Sequence, residues 1–294
     1  MGRVLSWRSP PSQGDSPQCI RPRFTPESRT DRPKVGERLS SPVLHCLADD
    51  LWVAEQPQTY VGLSIGTRMT VIRQRNTNRL VILSPIQPSA ELEKGLAELG
   101  VVGDIVAPNA FHHLYLQAFK QRFPLATTWG PSALRQKCPH LELDRLLSAT
   151  DPSPWPEMVL CKLTGLQTLG PTGPSPLHEV AFCHTPSKTL ILTDSAFHFD
   201  ASAAWLTRLI TRIGGGFDRL EPTILERLAT SDRASLGRAM QVVLQWDFDR
   251  VVVAHGAIVE TGGKASLTRA YVRFLGGDLE LGAGSQPITK EPPP

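Results

Sequence analysis

Between Leu51 and Pro85 the chain offers three short apolar runs, "LWVAEQ", "MTVIRQ" and "RLVILSP", the last two separated only by "RNTN". Each run has strand length, and a four-residue link containing two asparagines closes a hairpin and leaves no room for a helical crossover. A fold that opens on an antiparallel meander is not a purely parallel doubly wound sheet. Farther on the pattern alternates. Ser89 is placed to cap "AELEKGLAEL", in which Leu92, Leu96 and Leu99 recur at helical spacing and Gly100 supplies the stop. "DIVAPN" reads as the next strand and "LYLQAFKQRF" as the next helix, while "EVAFCH", "TPSK" and "TLILTD" predict a second hairpin. "AAWLTRLI" and "RASLGRAMQVVLQW" predict helices, "RVVVAHG" a buried strand and "SLTRAYVRFL" a closing helix. Residues 150–178, rich in Pro and Gly, read as irregular loops around one strand, "MVLCKLTG". Mixed sheets covered by helices, in one α/β (α+β) domain over residues 45–277, account for this order.

The two ends differ from the body. Residues 1–44 are rich in Pro, Arg and Ser, and 278–294 close on "GAGSQPITKEPPP"; both have few large apolar residues and are expected to be disordered. The first 44 residues carry eight basic against four acidic side chains, a net +4, whereas the whole chain is +3, so the remainder is −1. The basic balance therefore belongs to the extension, and no specific nucleic-acid binding is expected of the folded domain. No apolar run approaches the roughly 20 residues needed to span a bilayer. An Arg- and Ser-rich, acid-poor start fits an organelle transit peptide, and a dispensable extension equally. The expected location is cytoplasmic, or an organelle or plastid if residues 1–44 are such a peptide. Five cysteines with no C-x-x-C spacing read as thiols rather than a disulfide framework or a thiolate zinc site.

Three strand ends carry metal-capable residues: Asn109, His112 and His113 after "DIVAP", Asp194 after "TLILT", and His255 after "RVVVA". Residues past the carboxyl ends of neighbouring strands converge on one rim of a sheet, where the sites of α/β folds lie. Three imidazoles and a carboxylate suit zinc or ferrous iron, and an open position activates water. Singly, each has a structural alternative: a polar loop for the His pair, a helix cap for Asp194, a tight turn for His255. Asn109 is expected to close the turn after Pro108, His184 and His198 to lie at the surface or near the site, and Arg73 to point to water. Arg68 is open between an anion contact and a strand charge.

Taken together, "GTRMTVIR", "LSPI", "APNAFHH", "SKTLILTDS" and the late "AHG" resemble the metallo-β-lactamase superfamily over about residues 48–275, in a divergent, largely uncharacterised branch of unknown function. The resemblance implies a four-layer αββα sandwich of two mixed sheets flanked by helices, with a one- or two-metal site on the rim. The superfamily's H-x-H-x-D-H falls on "PNAFHH": His113 matches its last histidine, His112 stands at its aspartate, and Pro108 and Ala110 replace the first two histidines. Asp194 matches the metal-bridging aspartate and His255 the final ligand. The middle histidine has no clear counterpart, only His178 and Glu179 being nearby.

The implied function is a metal-dependent hydrolase with a single Zn or Fe ion held by His112, His113, Asp194 and His255. Asp194 is also the catalytic carboxylate, and the partner is a small-molecule substrate of unread identity. The competing reading is a non-catalytic binding or scaffold protein that keeps the fold with a degenerate metal site.

Overall fold

The structure, a computed structural model, describes residues 43–147, 153–170 and 173–276. The expected disordered segments therefore lie outside the described residues, Val43 and Leu44 excepted. In chain order come β1 (His45–Ala48), β2 (Leu51–Gln56), β3 (Thr59–Tyr60), β4 (Leu63–Ser64), β5 (Thr67–Arg73) and β6 (Arg79–Leu83), followed by α1 (Ala90–Leu99) and β7 (Val101–Val106). Next are α2 (Leu116–Arg122), β8 (Thr127–Gly130), α3 (Ser132–Lys137), β9 (Arg145–Leu146) and β10 (Met158–Lys162). Then follow β11 (Gln167–Gly170), β12 (Gly173–Pro176), β13 (Val180–His184) and β14 (Thr189–Leu192). The chain continues through α4 (Trp205–Gly214), α5 (Ile224–Ala229), α6 (Arg233–Gln245), β15 (Arg250–Val253) and α7 (Gly263–Leu275).

One sheet runs β1-β2-β5-β6-β7-β8-β9 and the other β10-β13-β14-β15. Both are mixed: β2, β5 and β6 pair antiparallel, whereas β6 to β9 and β14 with β15 pair parallel. The two-residue period of the strands sorts their side chains into layers. In β6, Val81 and Leu83 join Leu51, Val53 and Val106 and meet Phe182, Ile191 and Val252 of the second sheet. Leu80 and Ile82 point the other way, under Leu92 and Leu96 of α1 and Phe119 of α2. On the far side Leu190, Leu192, Val251 and Val253 pack under Met240 and Val243 of α6 and Tyr271 and Phe274 of α7. Strands so apolar on both faces have to be covered twice, and the result is the expected four-layer αββα sandwich.

Among the elements absent from the sequence reading are the β11–β12 hairpin and α5. β11 and β12 form a hairpin inside the segment expected to be irregular. Its prolines, Pro174 and Pro176, are tolerated because the pair is isolated and each proline interrupts no larger ladder. α5, not anticipated from the sequence, begins at a capping box formed by Thr223 and Glu226. Cys138 and Cys183 are buried free thiols and Cys161 a half-buried one, whereas Cys46 is disulfide-bonded.

Candidate metal centre

β14 and β15 lie side by side and parallel, with Leu192 opposite Val253. Asp194 and His255 each stand two residues beyond those strand ends, so the register alone delivers them to one rim. β7 ends on the same rim in the other sheet, and the backbone NH of Val180 donates to the Pro108 carbonyl at 2.9 Å, tying the two rims together. Beyond Pro108 the side-chain oxygen of Asn109 accepts from the backbone NH of Phe111 at 2.7 Å and of His112 at 2.8 Å. That turn aims His112 inward.

The result is one compact cluster. Nε2 of His112 and Nε2 of His255 each lie 3.3 Å from Oδ1 of Asp194 and 3.2 Å from each other. Their side chains are 8, 6 and 13% exposed, which leaves a narrow opening. Among the described residues these three make the one group whose donor atoms all lie within 4.8 Å of one another.

The outer atoms are held from behind. His255 Nδ1 lies 2.6 Å from the Gly66 carbonyl oxygen, which only accepts, so this nitrogen carries the proton and Nε2 presents a lone pair inward. Ser84 Oγ stands 2.6 Å from His112 Nδ1. Asn109 donates from Nδ2 to Asp194 Oδ2 at 2.7 Å and to Thr193 Oγ1 at 3.0 Å, leaving Oδ1 free to face the imidazoles. Behind Asp194 lies the buried carboxylate of Glu179, which accepts from the backbone NH groups of Thr193 and Asp194, both at 2.8 Å, and from Ser195 Oγ at 2.6 Å. Tyr271 closes the far side by donating to the Ser195 carbonyl at 2.9 Å.

Electrostatics follow from this packing. Burial opposes the Asp194 charge, but the adjacent imidazoles, His112 foremost, hold its carboxyl far below the usual range. Burial likewise disfavours protonated His112, yet the Asp194 charge outweighs it and raises the imidazole. Glu179 is pushed up by burial and by the Asp194 charge, against the pull of its three donors.

His113, expected as a further ligand, is not brought to the cluster. Consecutive residues in this turn diverge, and its Nε2 lies 3.2 Å from Cys138 Sγ. Burial and the nearby Lys137 ammonium hold His113 below its ordinary value. Asp194 caps no helix, since the next one starts at Trp205. Asn109 closes its turn as expected. His184 is not a surface residue: it is fully buried, with Nδ1 2.7 Å from Ser187 Oγ. His198 supports the site, its backbone NH directed at the His255 carbonyl and its own carbonyl accepting from Ala257. Arg73 is corrected too, being paired with Asp50 at 2.7 Å and set over Trp52.

Arg68 resolves as structural. Its guanidinium donates to Glu55 Oε1 and to the carbonyls of Val253 and Gly256, so it bolts β5 to the loop carrying His255. Beside that loop lies a cavity of about 740 Å³, walled partly by Gly66, Ala254 and Gly256. Sequence reasoning missed Ser84 and the Gly66 carbonyl; Ser84 had the signal of another polar residue directly past a strand.

A solved metallo-β-lactamase from Pontibacter korlensis is 13% identical, with 82% of this chain and 98% of that one covered at a TM-score of 0.52. The DIM-1 metallo-β-lactamase is 9% identical over 83% and 98% at 0.55. The Flv1 flavodiiron core from Synechocystis sp. is 11% identical over 80% of this chain and 61% of that one at 0.56. The fold is thus that of the metallo-β-lactamases. Within it the chain belongs to the family described as a domain of unknown function, DUF4336, which matches residues 48–213. Curated protein sequences contain no match to the chain.

Proposed function

We propose that the protein is a metal-dependent hydrolase that works with one zinc or iron ion held by His112, Asp194 and His255. The observation that carries this reading is the confrontation of acceptors: the Nε2 lone pair of His255 faces the anionic Oδ1 of Asp194 at 3.3 Å. Two acceptors at that distance repel unless a cation or a proton lies between them. Two imidazoles and a carboxylate are nitrogen and oxygen donors suited to zinc or ferrous iron and leave coordination positions open. A bound ion would supply Lewis-acid polarisation of a substrate oxygen and a lowered pKa for water.

The chain's own residues supply position. Gly66 and Ser84 fix the imidazole planes, Asn109 leaves one Asp194 oxygen facing inward, and Glu179 pins the backbone that carries Asp194. With Oδ2 engaged by Asn109 and Oδ1 facing both imidazoles, Asp194 acts as ligand and orienting charge. The cavity beside the Ala254–Gly256 loop, although not lined by the three ligands themselves, would hold a small-molecule substrate, and four of the five N–H donors of Arg68 are already taken by Glu55, Val253 and Gly256.

Elemental analysis of protein purified without added metal tests this. About one equivalent of zinc or iron is expected, falling in Asp194→Asn, which keeps shape but deletes charge. Hydrolysis of any ester, thioester or phosphoester found by screening should fall in step with the metal lost. Metal-free protein under several growth conditions would favour the scaffold reading instead.

A further inference from the structure

Helix α4 is inside out. Its buried face consists of Thr207 and Thr211, the former donating to the Ser64 carbonyl at 2.7 Å and the latter back to the Thr207 carbonyl at 2.8 Å. Its apolar residues point to solvent: Trp205 is 69% exposed and Ile213 80%, with Leu206, Leu209 and Ile210 between them. The neighbouring α5 continues the patch with Ile224, Leu225 and Leu228, and Gly214 brings the helices into contact at Ile224. Single exposed apolar side chains are ordinary, but a contiguous stripe over two helices marks a contact surface.

Charge indicates what covers it. On α4 and α5 every charged side chain that reaches solvent is arginine: Arg208, Arg212 and Arg227. The one acid, Glu226, is buried in the α5 capping box. In the connecting segment Asp218 is the one exposed acid, and Glu221 is buried between Arg219 and Arg273. A second copy docked through the same face would set arginine against arginine. A face whose most exposed residues project as a ridge, with tryptophan at one end and arginines along its flank, has the composition of an interfacial helix lying on anionic lipid.

We propose that the α4–α5 face docks the protein on an anionic membrane surface without spanning it. No helix among the described residues is long and apolar enough to cross a bilayer, consistent with a peripheral mode. The net +4 of residues 1–44 has the sign to add to this attraction.

Co-sedimentation of the full chain with vesicles tests the proposal without reference to metal or activity. The chain should pellet with phosphatidylcholine vesicles containing phosphatidylglycerol and not with phosphatidylcholine alone, and added salt should weaken the binding. Ile213→Glu and Leu228→Glu should each reduce binding roughly tenfold or more. Their melting temperatures should not change, because both side chains face solvent. Absence of vesicle binding would overturn the proposal, as would equal binding by both variants, which would assign the attraction to the basic extension. It would equally be overturned if the chain ignored vesicles but formed a dimer that these substitutions dissociate.

Discussion

Nε2 of His255 stands 3.3 Å from Oδ1 of Asp194 because the Gly66 carbonyl holds the opposite nitrogen of the same ring at 2.6 Å. One backbone oxygen on the β4–β5 loop therefore fixes the tautomer of a side chain 189 positions away. The arrangement separates residues that face the cluster from those that only resemble ligands in sequence.

The first expectation concerns that separation. His255→Ala and His112→Ala should each lose bound zinc or iron, whereas His113→Ala should keep it. Losing a ligand costs more than losing a supporting contact, itself worth about tenfold to a hundredfold in affinity. Competition with a chromogenic chelator measures all three, and a normal affinity for His255→Ala would remove that residue from the centre.

Glu179→Gln should damage the site from behind. Both carboxylate oxygens accept, so either amide orientation turns an NH₂ group toward a backbone NH of Thr193 or Asp194. A loss of about 1–3 kcal/mol in urea unfolding is expected for such an unmatched buried donor. Metal affinity should fall as well, since the Asp194 backbone is released. Stability and affinity equal to the wild type would show that this carboxylate positions nothing.

Gly256→Ala should be among the most damaging single-methyl additions. Gly256 has φ +89°, and a Cβ there would meet the His198 carbonyl oxygen at 2.1 Å. Strain plus displacement of the loop should cost roughly 2–4 kcal/mol. A urea midpoint close to wild type would mean that the loop has room the structure does not show.

Glu226 gives a pH dependence. Burial raises its carboxyl to about 7, against the hydrogen bonds it accepts from Thr223 and Thr168. A raised carboxyl binds its proton more tightly in the folded state, so its stabilisation is fully present below about pH 4.5 and is lost as pH rises through about 7. The ceiling of this loss is roughly 3 kcal/mol. Thermal unfolding from pH 4 to 8 should show a fall that Glu226→Gln flattens, and an identical pH profile in the variant would assign the fall elsewhere.

Much of the architecture was legible in order and period. The early hairpins excluded a purely parallel sheet, and the unbroken apolar runs in "RLVIL" and "TLIL" are those of strands buried on both faces. Local chemistry also placed the candidates, because a polar residue just past an apolar strand must lie at a sheet rim. What no local signal decided was which candidates meet. His112 and His113 are chemically identical neighbours, and only the Asn109 turn and the packing of α3 send one to Asp194 and the other to Cys138. Arg68 read equally well as anion contact or surface charge until partners 185 and 188 positions away absorbed its donors. The inversion of α4 was equally hidden, since periodicity reports that a helix has two faces and not which one the protein covers. Sequence determines what each segment tends to form; long-range register and burial decide which side chains share a site, because those contacts join residues that no local pattern relates.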